Sequence, residues 1–377
     1  MGSFQMTSRL MTASLLACVL ALSACGTSKP KPAELPTLSH PKPVEVAWSF
    51  ALGAVQASMV PALTPQGNVV VATSDSELIT LQWADGKVLE RVELKQPLSA
   101  GVGSDGKRHA IVTRDNQLIV VSQGKEAWRQ TLPAKVYTAP LVAGERVFVL
   151  LADRTVQAYD GAGGRLLWSQ SRQGEPLVLS QSGTLMPFGN TLVVGLSGRL
   201  TGFDPTTGRT IWEAPIASPR GLNDLERLVD VVGLSHRSDP FICSRAYMAQ
   251  IGCIDAQRGQ VAWSRSSQGD QGLSGNATMV VGVESNGLVV AWQRDTGDRM
   301  WESDRLKYRR LSAPVVSEAG IWLADDEGQL FLLDLQKGPL LARSSLDGSA
   351  LASPPLQRQG LVLLVTRKGL VRAVRTP

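Results

Sequence analysis

The sequence contains few of the residues that carry out most enzyme chemistry. Its 377 residues include three histidines, His40, His109 and His236, which are far apart and lack the spacing of metal ligands. We expect all three to lie on the surface or in loops. The four cysteines include no adjacent pair, and no serine or cysteine is accompanied by a histidine in a familiar nucleophile motif. These absences argue against a metal site and against a hydrolase.

Charge and hydropathy argue against two further classes of protein. The formal net charge is +5, and the basic residues are scattered, so the sequence does not indicate a nucleic-acid-binding protein. Beyond residue 24, no apolar run reaches the roughly 20 residues that a membrane-spanning helix needs. The body also lacks a convincing amphipathic helix. Its length suits one large domain or two ordinary ones.

Residues 1–24 are typical of a secretory signal peptide. Arg9 precedes an apolar run, 10–24, which is shorter than a membrane span and ends in small residues. The end of this run, LSAC, resembles the lipobox of bacterial lipoproteins, which implies that Cys25 is acylated. Gly26 is not the aspartate that usually retains lipoproteins in the inner membrane. The resemblance therefore implies a lipid anchor in the outer membrane, facing the periplasm. The alternative is an ordinary signal peptide with an incidental cysteine.

Residues 25–45 separate this signal from the body of the protein. The stretch 27–44 has five prolines and few large apolar side chains, so it cannot bury a core. We predict a flexible tether over 25–45 and a folded body over 46–377.

An internal repeat runs through this body. A turn rich in Asp and Gly is followed by Gly-x-x-x-Trp, as in DPTTGRTIW (204–212) and DAQRGQVAW (255–263). The tryptophan position recurs eight times, with Glu90 and Ala342 in place of tryptophan in two copies. The glycines are Gly86, Gly124, Gly164, Gly208, Gly259, Gly297 and Gly338, and the eight positions are 48, 90, 128, 168, 212, 263, 301 and 342.

Each period divides into four short strands. Residues 312–344 give strands at about 313–317, 320–324, 329–334 and 340–344, with turn residues between them. Eight periods of four antiparallel strands predict an all-β protein, an eight-bladed β-propeller. Trp48 has no preceding turn, and the last period has only three strands. We therefore expect the N-terminal strand to complete the C-terminal blade and close the ring.

The tandem Asp-x-x-x-Gly-x-x-x-Trp periods resemble the repeat of pyrroloquinoline quinone (PQQ) enzymes. Together with the lipobox and the tether, eight such blades resemble the BamB family of outer-membrane lipoproteins. This resemblance implies a non-catalytic adaptor without a cofactor, which binds the POTRA domains of the central β-barrel assembly subunit and helps to deliver unfolded outer-membrane protein precursors. The alternatives are a PQQ-dependent dehydrogenase and another lipid-anchored propeller with a different envelope partner.

Two adjacent spacings between the repeat glycines are longer than the others, and they indicate where a partner binds. Extra length in a propeller forms loops on one face, and here it falls in 174–187 and 219–233. By resemblance, these match the two family segments that contact the barrel subunit. The family patterns are Leu-x-Leu-Arg and Asp-x-Asp, from which this chain departs at Ser180 and Val232. The predicted partner-binding residues are Leu177, Leu179, Arg227 and Asp230.

Cys243 and Cys253 remain after the cysteines of the N-terminal segment are set aside. An even pair in an oxidising compartment suggests a disulfide. A hairpin turning near Met248 would place the two residues opposite each other. The alternative is two buried free thiols.

Overall fold

A computed structural model describes residues 30–56, 59–172, 178–219 and 228–375. The chain divides into two compact units, Met1–Pro32 and Ala33–Pro377, and every described strand lies in the second. Within these ranges no helix is long and apolar enough to cross a membrane. The strands form eight four-stranded antiparallel sheets, which are the blades of a propeller. The predicted fold is confirmed.

The blades follow one another along the chain. Blade 1 contains β2 (Ala62–Leu63), β3 (Asn68–Ala72), β4 (Glu77–Gln82) and β5 (Val88–Glu93); blade 2 contains β6 (Gly103–Ser104), β7 (Arg108–Val112), β8 (Gln117–Ser122) and β9 (Lys125–Thr131). Blade 3 contains β10 (Leu141–Ala143), β11 (Arg146–Leu150), β12 (Val156–Asp160) and β13 (Leu166–Gln170); blade 4 contains β14 (Leu185–Phe188), β15 (Thr191–Leu196), β16 (Arg199–Phe203) and β17 (Thr210–Pro215). Blade 5 contains β18 (Val231–Ser238), β19 (Phe241–Ala246), β20 (Gln250–Asp255) and β21 (Gln260–Ser266); blade 6 contains β22 (Ser274–Gly275), β23 (Met279–Val283), β24 (Val289–Gln293) and β25 (Arg299–Ser303). Blade 7 contains β26 (Val315–Ser317), β27 (Gly320–Ala324), β28 (Gln329–Leu333) and β29 (Leu340–Ser345); blade 8 contains β30 (Leu356–Arg358), β31 (Leu361–Val365), β32 (Leu370–Arg375) and β1 (Val46–Ala51).

The two ends of the chain meet in blade 8. The N-terminal strand β1 pairs antiparallel with β32, so that Trp48 lies opposite Ala373 and Phe50 opposite Val371. This pairing closes the ring as expected and supplies the outer strand that the C-terminal blade lacks.

Burial within a blade depends on the position of the strand. The middle strands are mostly buried, and all five residues of β31 are buried because each sheet packs between two neighbouring sheets. The outer strands are mostly exposed. In β9, Trp128 is the one buried residue.

The repeated tryptophan packs against the glycine of the next blade. An added Cβ on Gly164 would lie 2.6 Å from the Trp128 ring, and the φ angle of Gly164 is 71°. A glycine at this position suits the turn, since L side chains disfavour positive φ, and it also lets the ring approach the backbone. The Trp128 indole N–H donates to the Gly161 carbonyl at 2.9 Å. Equivalent bonds run from Trp48 to Trp83, from Trp168 to Pro205, from Trp263 to Arg294 and from Trp301 to Leu335.

A β-bulge precedes the tryptophan position. Trp168 lies opposite Ala158 while Leu166 lies opposite Tyr159, so Leu167 is the extra residue. Such a bulge increases the local twist and changes the direction of the following side chain. The same shift occurs before Glu90 and Ala342, which shows that it belongs to the blade edge rather than to the tryptophan itself.

The two positions without tryptophan have different structural causes. Blade 8 has no hairpin between β32 and β1, since the two ends of the chain meet there. A tryptophan side chain at position 342 would therefore have no hairpin glycine to pack against. Val44 packs instead with the core cluster that contains Ala342. In blade 1, the Glu90 carboxylate lies 3.3 Å from Nε2 of His109 in the next blade.

The histidine prediction is correct only for His40, which is exposed. His109 lies in β7 with 5% of its surface exposed, and His236 lies half-buried in β18. Burial lowers the pKa of His109, and the Glu90 carboxylate offsets part of this lowering. The imidazole is therefore neutral near pH 7. Its Nε2–H donates to Glu90, and Nδ1 accepts from the Ser104 hydroxyl at 2.8 Å.

Part of the predicted tether packs on the propeller. We call residues 33–44 the strap. Lys42 N donates to the Leu341 carbonyl at 2.9 Å, and Ala33 N donates to the Lys307 carbonyl at 2.8 Å. Leu35 and Leu38 pack against the core cluster of blades 6 and 7. The described structure therefore differs from a flexible tether over 33–44, because Leu35 and Leu38 are partly buried against the propeller.

Cys243 and Cys253 are bonded through their sulfur atoms. They lie directly opposite each other in β19 and β20, with a Cα–Cα distance of 3.9 Å, and both are buried in blade 5.

We predict that this disulfide is present in the purified protein. Its intact mass should be lower by two hydrogens than after reduction, and the double variant Cys243→Ser, Cys253→Ser should lose about 2–3 kcal/mol of unfolding free energy, as the loop-entropy model gives. Reductant should destabilise the wild type and leave the double variant unchanged. Labelling of both thiols in the native, unreduced protein would contradict the prediction.

A second prediction tests the contact between tryptophan and glycine. Gly164→Ala should cost about 2–4 kcal/mol, since it combines an unfavourable φ with overpacking against the Trp128 ring. Gly189→Ala is the matched control, since Gly189 also has positive φ (53°) but an added Cβ would meet nothing within 4 Å. Its cost should be about 1 kcal/mol. Equal losses in denaturant unfolding would show that the ring contact contributes little.

Candidate functional site

The two long connections lie at the same end of the ring. Each leads from the outer strand of one blade to the inner strand of the next, from β13 to β14 and from β17 to β18. In a propeller of this topology, such connections share one face with the hairpins between the second and third strands. The described parts of the two connections, 178–184 and 228–230, are therefore neighbours on that face.

Asp230 links the two connections. Its Oδ2 accepts a hydrogen bond from the backbone N–H of Leu179 at 3.1 Å. Its Oδ1 lies 3.5 Å from Nη2 of Arg154, in the hairpin between β11 and β12, and its backbone carbonyl accepts from the N–H of Tyr247. A single carboxylate thus joins residues from two connections and one hairpin.

This link is largely shielded from solvent. The side chains of Arg154 and Asp230 are 9% and 17% exposed, so water screens the ion pair less than it would a surface pair. The Asp230 carboxylate is consequently a structural group that holds Leu179 in place, and only a small part of it faces solvent.

Leu179 borders a narrow cleft between the blades. The cleft has a volume of about 60 Å³ and is lined by Tyr137, Leu150, Arg154, Val178 and Leu179, together with further residues of blades 3 to 5. Val178 and Leu179 are each half-buried. The apolar surface of this segment is therefore shared between the propeller and solvent.

The central funnel of the ring opens beside this cleft. Leu179 and Gln181 line both spaces, and the funnel has a volume of about 910 Å³. The Gln181 side-chain amide donates to the Asp270 carbonyl at 2.8 Å. The first connection therefore lies between the cleft and the mouth of the funnel.

The first connection rejoins the body through well-defined hydrogen bonds. Gly183 N donates to the Thr138 hydroxyl at 2.9 Å, and Gly233 N donates to the Ser182 carbonyl at 2.8 Å. These bonds tie the segment to blades 3 and 5, so its position is fixed on both sides.

The structure brings together two of the predicted partner-binding residues, Leu179 and Asp230. Leu177, Arg227 and the predicted lipidation site Cys25 lie outside the described residues. Ser180 is exposed, whereas Val232 is 2% exposed and belongs to the inner strand β18. An apolar residue at this buried position packs in the core.

Sequence reasoning missed Arg154. The hairpin ADRT (152–155) places Arg154 at φ 66°, and only the fold shows that this turn faces Asp230, which is 76 residues away. Within the described ranges, no three His, Cys, Asp or Glu side chains are grouped as they would be to hold a metal ion.

Comparison with known proteins shows the family. The family model described as outer membrane protein assembly factor BamB matches residues 75–303. The chain is 30% identical over 365 residues to the outer membrane protein assembly factor BamB of Bordetella pertussis, covering 95% of both chains. This chain therefore belongs to the BamB family.

Solved structures agree with this fold. The crystal structure of BamB from Moraxella catarrhalis matches with a TM-score of 0.78 and 21% identity, covering 88% of this chain and 99% of that one. The quinohemoprotein alcohol dehydrogenase of Comamonas testosteroni matches with a TM-score of 0.65 and 12% identity, covering 88% of this chain and 76% of that one. At such identities these likenesses show the propeller fold alone.

A third prediction tests the role of Asp230. Asp230→Ala should increase the rate of hydrogen exchange at the Leu179 amide at least tenfold, because loss of a hydrogen bond to a charged group costs about 1.5–3 kcal/mol. Asp230→Asn, which keeps an acceptor oxygen, should have a smaller effect. The Gly183 amide is the internal control, since it donates to Thr138. Unchanged exchange at Leu179 would show that Asp230 does not hold the connection.

Proposed function

We propose that this protein is a non-catalytic adaptor in the assembly of outer-membrane β-barrel proteins. It binds the POTRA domains of the central barrel subunit and assists the folding and insertion of unfolded outer-membrane protein precursors. Membership of the BamB family, whose relatives are named as outer membrane protein assembly factors, supports this role.

The observation that carries the partner site is the link between the two connections through Asp230. The hydrogen bond to Leu179 and the ion pair with Arg154 hold an apolar segment in one position beside the cleft. A rigid apolar segment loses little conformational entropy on binding, as a hot spot requires. In this proposal, Leu177 and Leu179 supply the apolar contact, and Arg227 and the exposed edge of Asp230 orient the partner.

The proposed adaptor is lipid-anchored through Cys25 at the periplasmic face of the outer membrane. The LSAC motif and the following Gly26 support this placement. Several acyl chains make such an anchor effectively permanent, at about 0.8 kcal/mol per buried methylene.

The absence of catalytic activity is also part of the proposal. The described cysteines are joined to each other in a disulfide in blade 5, and many of the acidic side chains accept hydrogen bonds from turn backbones, as Asp204 does from Thr206 and Thr207. These roles support structural rather than catalytic use of both residue types.

A binding experiment tests the function. The double variant Leu177→Ala, Leu179→Ala should weaken binding to purified POTRA domains of the barrel subunit by tenfold or more, as substitution of hot-spot residues does. Leu166→Ala is the matched control, since Leu166 is an exposed leucine on the outer strand of blade 3. Thermal melts of all variants should be similar. Wild-type affinity in the double variant would place the interface elsewhere, and a large fall in its melting temperature would assign the two leucines to the core.

A further inference from the structure

The strap ends on one particular loop of the propeller. This loop, residues 304–311, is the first part of the connection from β25 of blade 6 to β26 of blade 7. Ala33 N donates to the Lys307 carbonyl at 2.8 Å, and the Arg309 guanidinium donates back to the Ala33 carbonyl at 3.2 Å. Ala33, the first residue of the unit that contains the propeller, is therefore bound to this loop.

The attachment of the strap is firm. Arg309 also donates to the carboxylate of Asp325 at 3.0 Å, and Asp325 is buried. Leu35 and Leu38 pack against the cluster of blades 6 and 7. Displacing the strap would expose these leucines and leave part of the Arg309 guanidinium without its acceptor.

The solvent-facing side of this loop is basic and carries an aromatic ring. Arg305 and Arg310 are exposed and have no acidic partner among the described residues, while Lys307 is half-buried. Tyr308 is 41% exposed and has a φ of 63°, an unfavourable conformation for a large side chain. The Lys307 ammonium lies 5.3 Å from the centre of its ring.

Four acidic side chains lie in or beside the loop, and two of them pair with Arg309 rather than with Arg305 or Arg310. Asp325 and Glu327 both lie within ion-pair distance of Arg309, at 3.0 and 3.8 Å. Asp304, in the loop itself, and Asp326, at the mouth of the funnel, are exposed. The loop residues 304–311 contain four basic side chains and one acidic side chain.

The number of residues between Cys25 and Ala33 limits how far this loop can lie from a membrane. Ala33 lies eight positions after Cys25, and a fully extended chain spans at most about 3.6 Å per residue, or about 29 Å in all. An acylated Cys25 would therefore keep the loop close to the bilayer. Basic side chains within reach of anionic headgroups are attracted to them, and tyrosine suits the headgroup region.

We propose that the loop 304–311 contacts anionic phospholipid headgroups as a second membrane contact. This inference rests on the proposed function, since it requires the lipid on Cys25. The acyl chains retain the protein, and the loop sets its orientation. Because the connections of blades 3 to 5 lie at the same end of the ring, two to three blades away, the contact also sets the position of the partner site relative to the membrane.

The experiment uses the mature chain, lipidated on Cys25, in vesicles that carry an acceptor dye at their surface. A donor dye is attached at Ser285→Cys or at Asp115→Cys, which are exposed hairpin positions at the same end of the ring, in blades 6 and 2. In vesicles of phosphatidylglycerol, energy transfer should be greater from position 285 than from 115. The difference should decrease at high salt and in vesicles of phosphatidylcholine.

Removing the loop charges should remove this orientation. Each basic side chain near an anionic surface strengthens binding about fivefold. The double variant Arg305→Gln, Arg310→Gln should therefore lower about thirtyfold the ratio of anchored protein whose loop contacts the headgroups to anchored protein whose loop does not. Arg165→Gln with Arg209→Gln removes the same charge from exposed positions of blades 3 and 4 and should leave the ratio unchanged.

The possible results separate the two proposals. If the wild type sediments with vesicles but position 285 shows no excess energy transfer, the loop contact is wrong and the anchor stands. If both pairs of substitutions reduce the excess equally, the attraction is a property of the whole molecule and the loop contact is again wrong. If the mature chain carries no acyl mass on Cys25, the lipid anchor is wrong, and the inference fails with it.

Discussion

The contact between the outer-strand tryptophan of one blade and the hairpin glycine of the next is the interaction on which the ring depends. Each blade is a small antiparallel sheet that cannot bury its own faces. The ring of Trp128 covers Gly164, where any side chain would collide with it, and its indole N–H closes a hydrogen bond to the same hairpin. One contact therefore combines burial with a fixed distance between neighbouring blades, and its repetition sets the packing of the ring. The bulge before the tryptophan position is part of the same arrangement, because it changes the direction in which the tryptophan side chain leaves the strand.

The two exceptions show what this contact requires. At Ala342 the next blade offers no hairpin, because its outer strand comes from the other end of the chain, and a tryptophan would have no glycine to cover. At Glu90 the hairpin glycine, Gly124, is present, but the neighbouring blade places His109 beside the carboxylate. A polar pair of the partly exposed Glu90 and the buried His109 thus occupies the position of an aromatic ring. The second ring nitrogen of His109 is also satisfied, because its Nδ1 accepts a hydrogen bond from the Ser104 hydroxyl, as buried polar groups require.

The candidate partner site has a different physical basis from the rest of the ring. Its described part is held by hydrogen bonds of Asp230 and Gly183 to residues distant in sequence, rather than by a repeated aromatic contact. The carboxylate of Asp230, which the sequence analysis predicted as a partner contact, mainly binds groups within the protein, the Leu179 backbone N–H and the Arg154 side chain. In the same way, the strap uses Leu35 and Leu38 to join the propeller, although its proline content alone suggests a flexible tether. In both places, residues that appear free in the sequence are bound in the fold.

The sequence by itself determined the all-β class, the number of blades, the position of each tryptophan and the closure of the ring by the N-terminal strand. These features follow from a local pattern, repeated with a regular period, whose physical meaning is the same in every copy. Leu179 and Asp230 could also be selected, because their segments interrupt that period. The tertiary structure alone decided that Arg154 faces Asp230, that His109 is buried beside Glu90, and that the strap ends on the loop 304–311. Each of these contacts joins residues of different blades or distant segments. Such contacts depend on the distances between packed sheets, which no local pattern records.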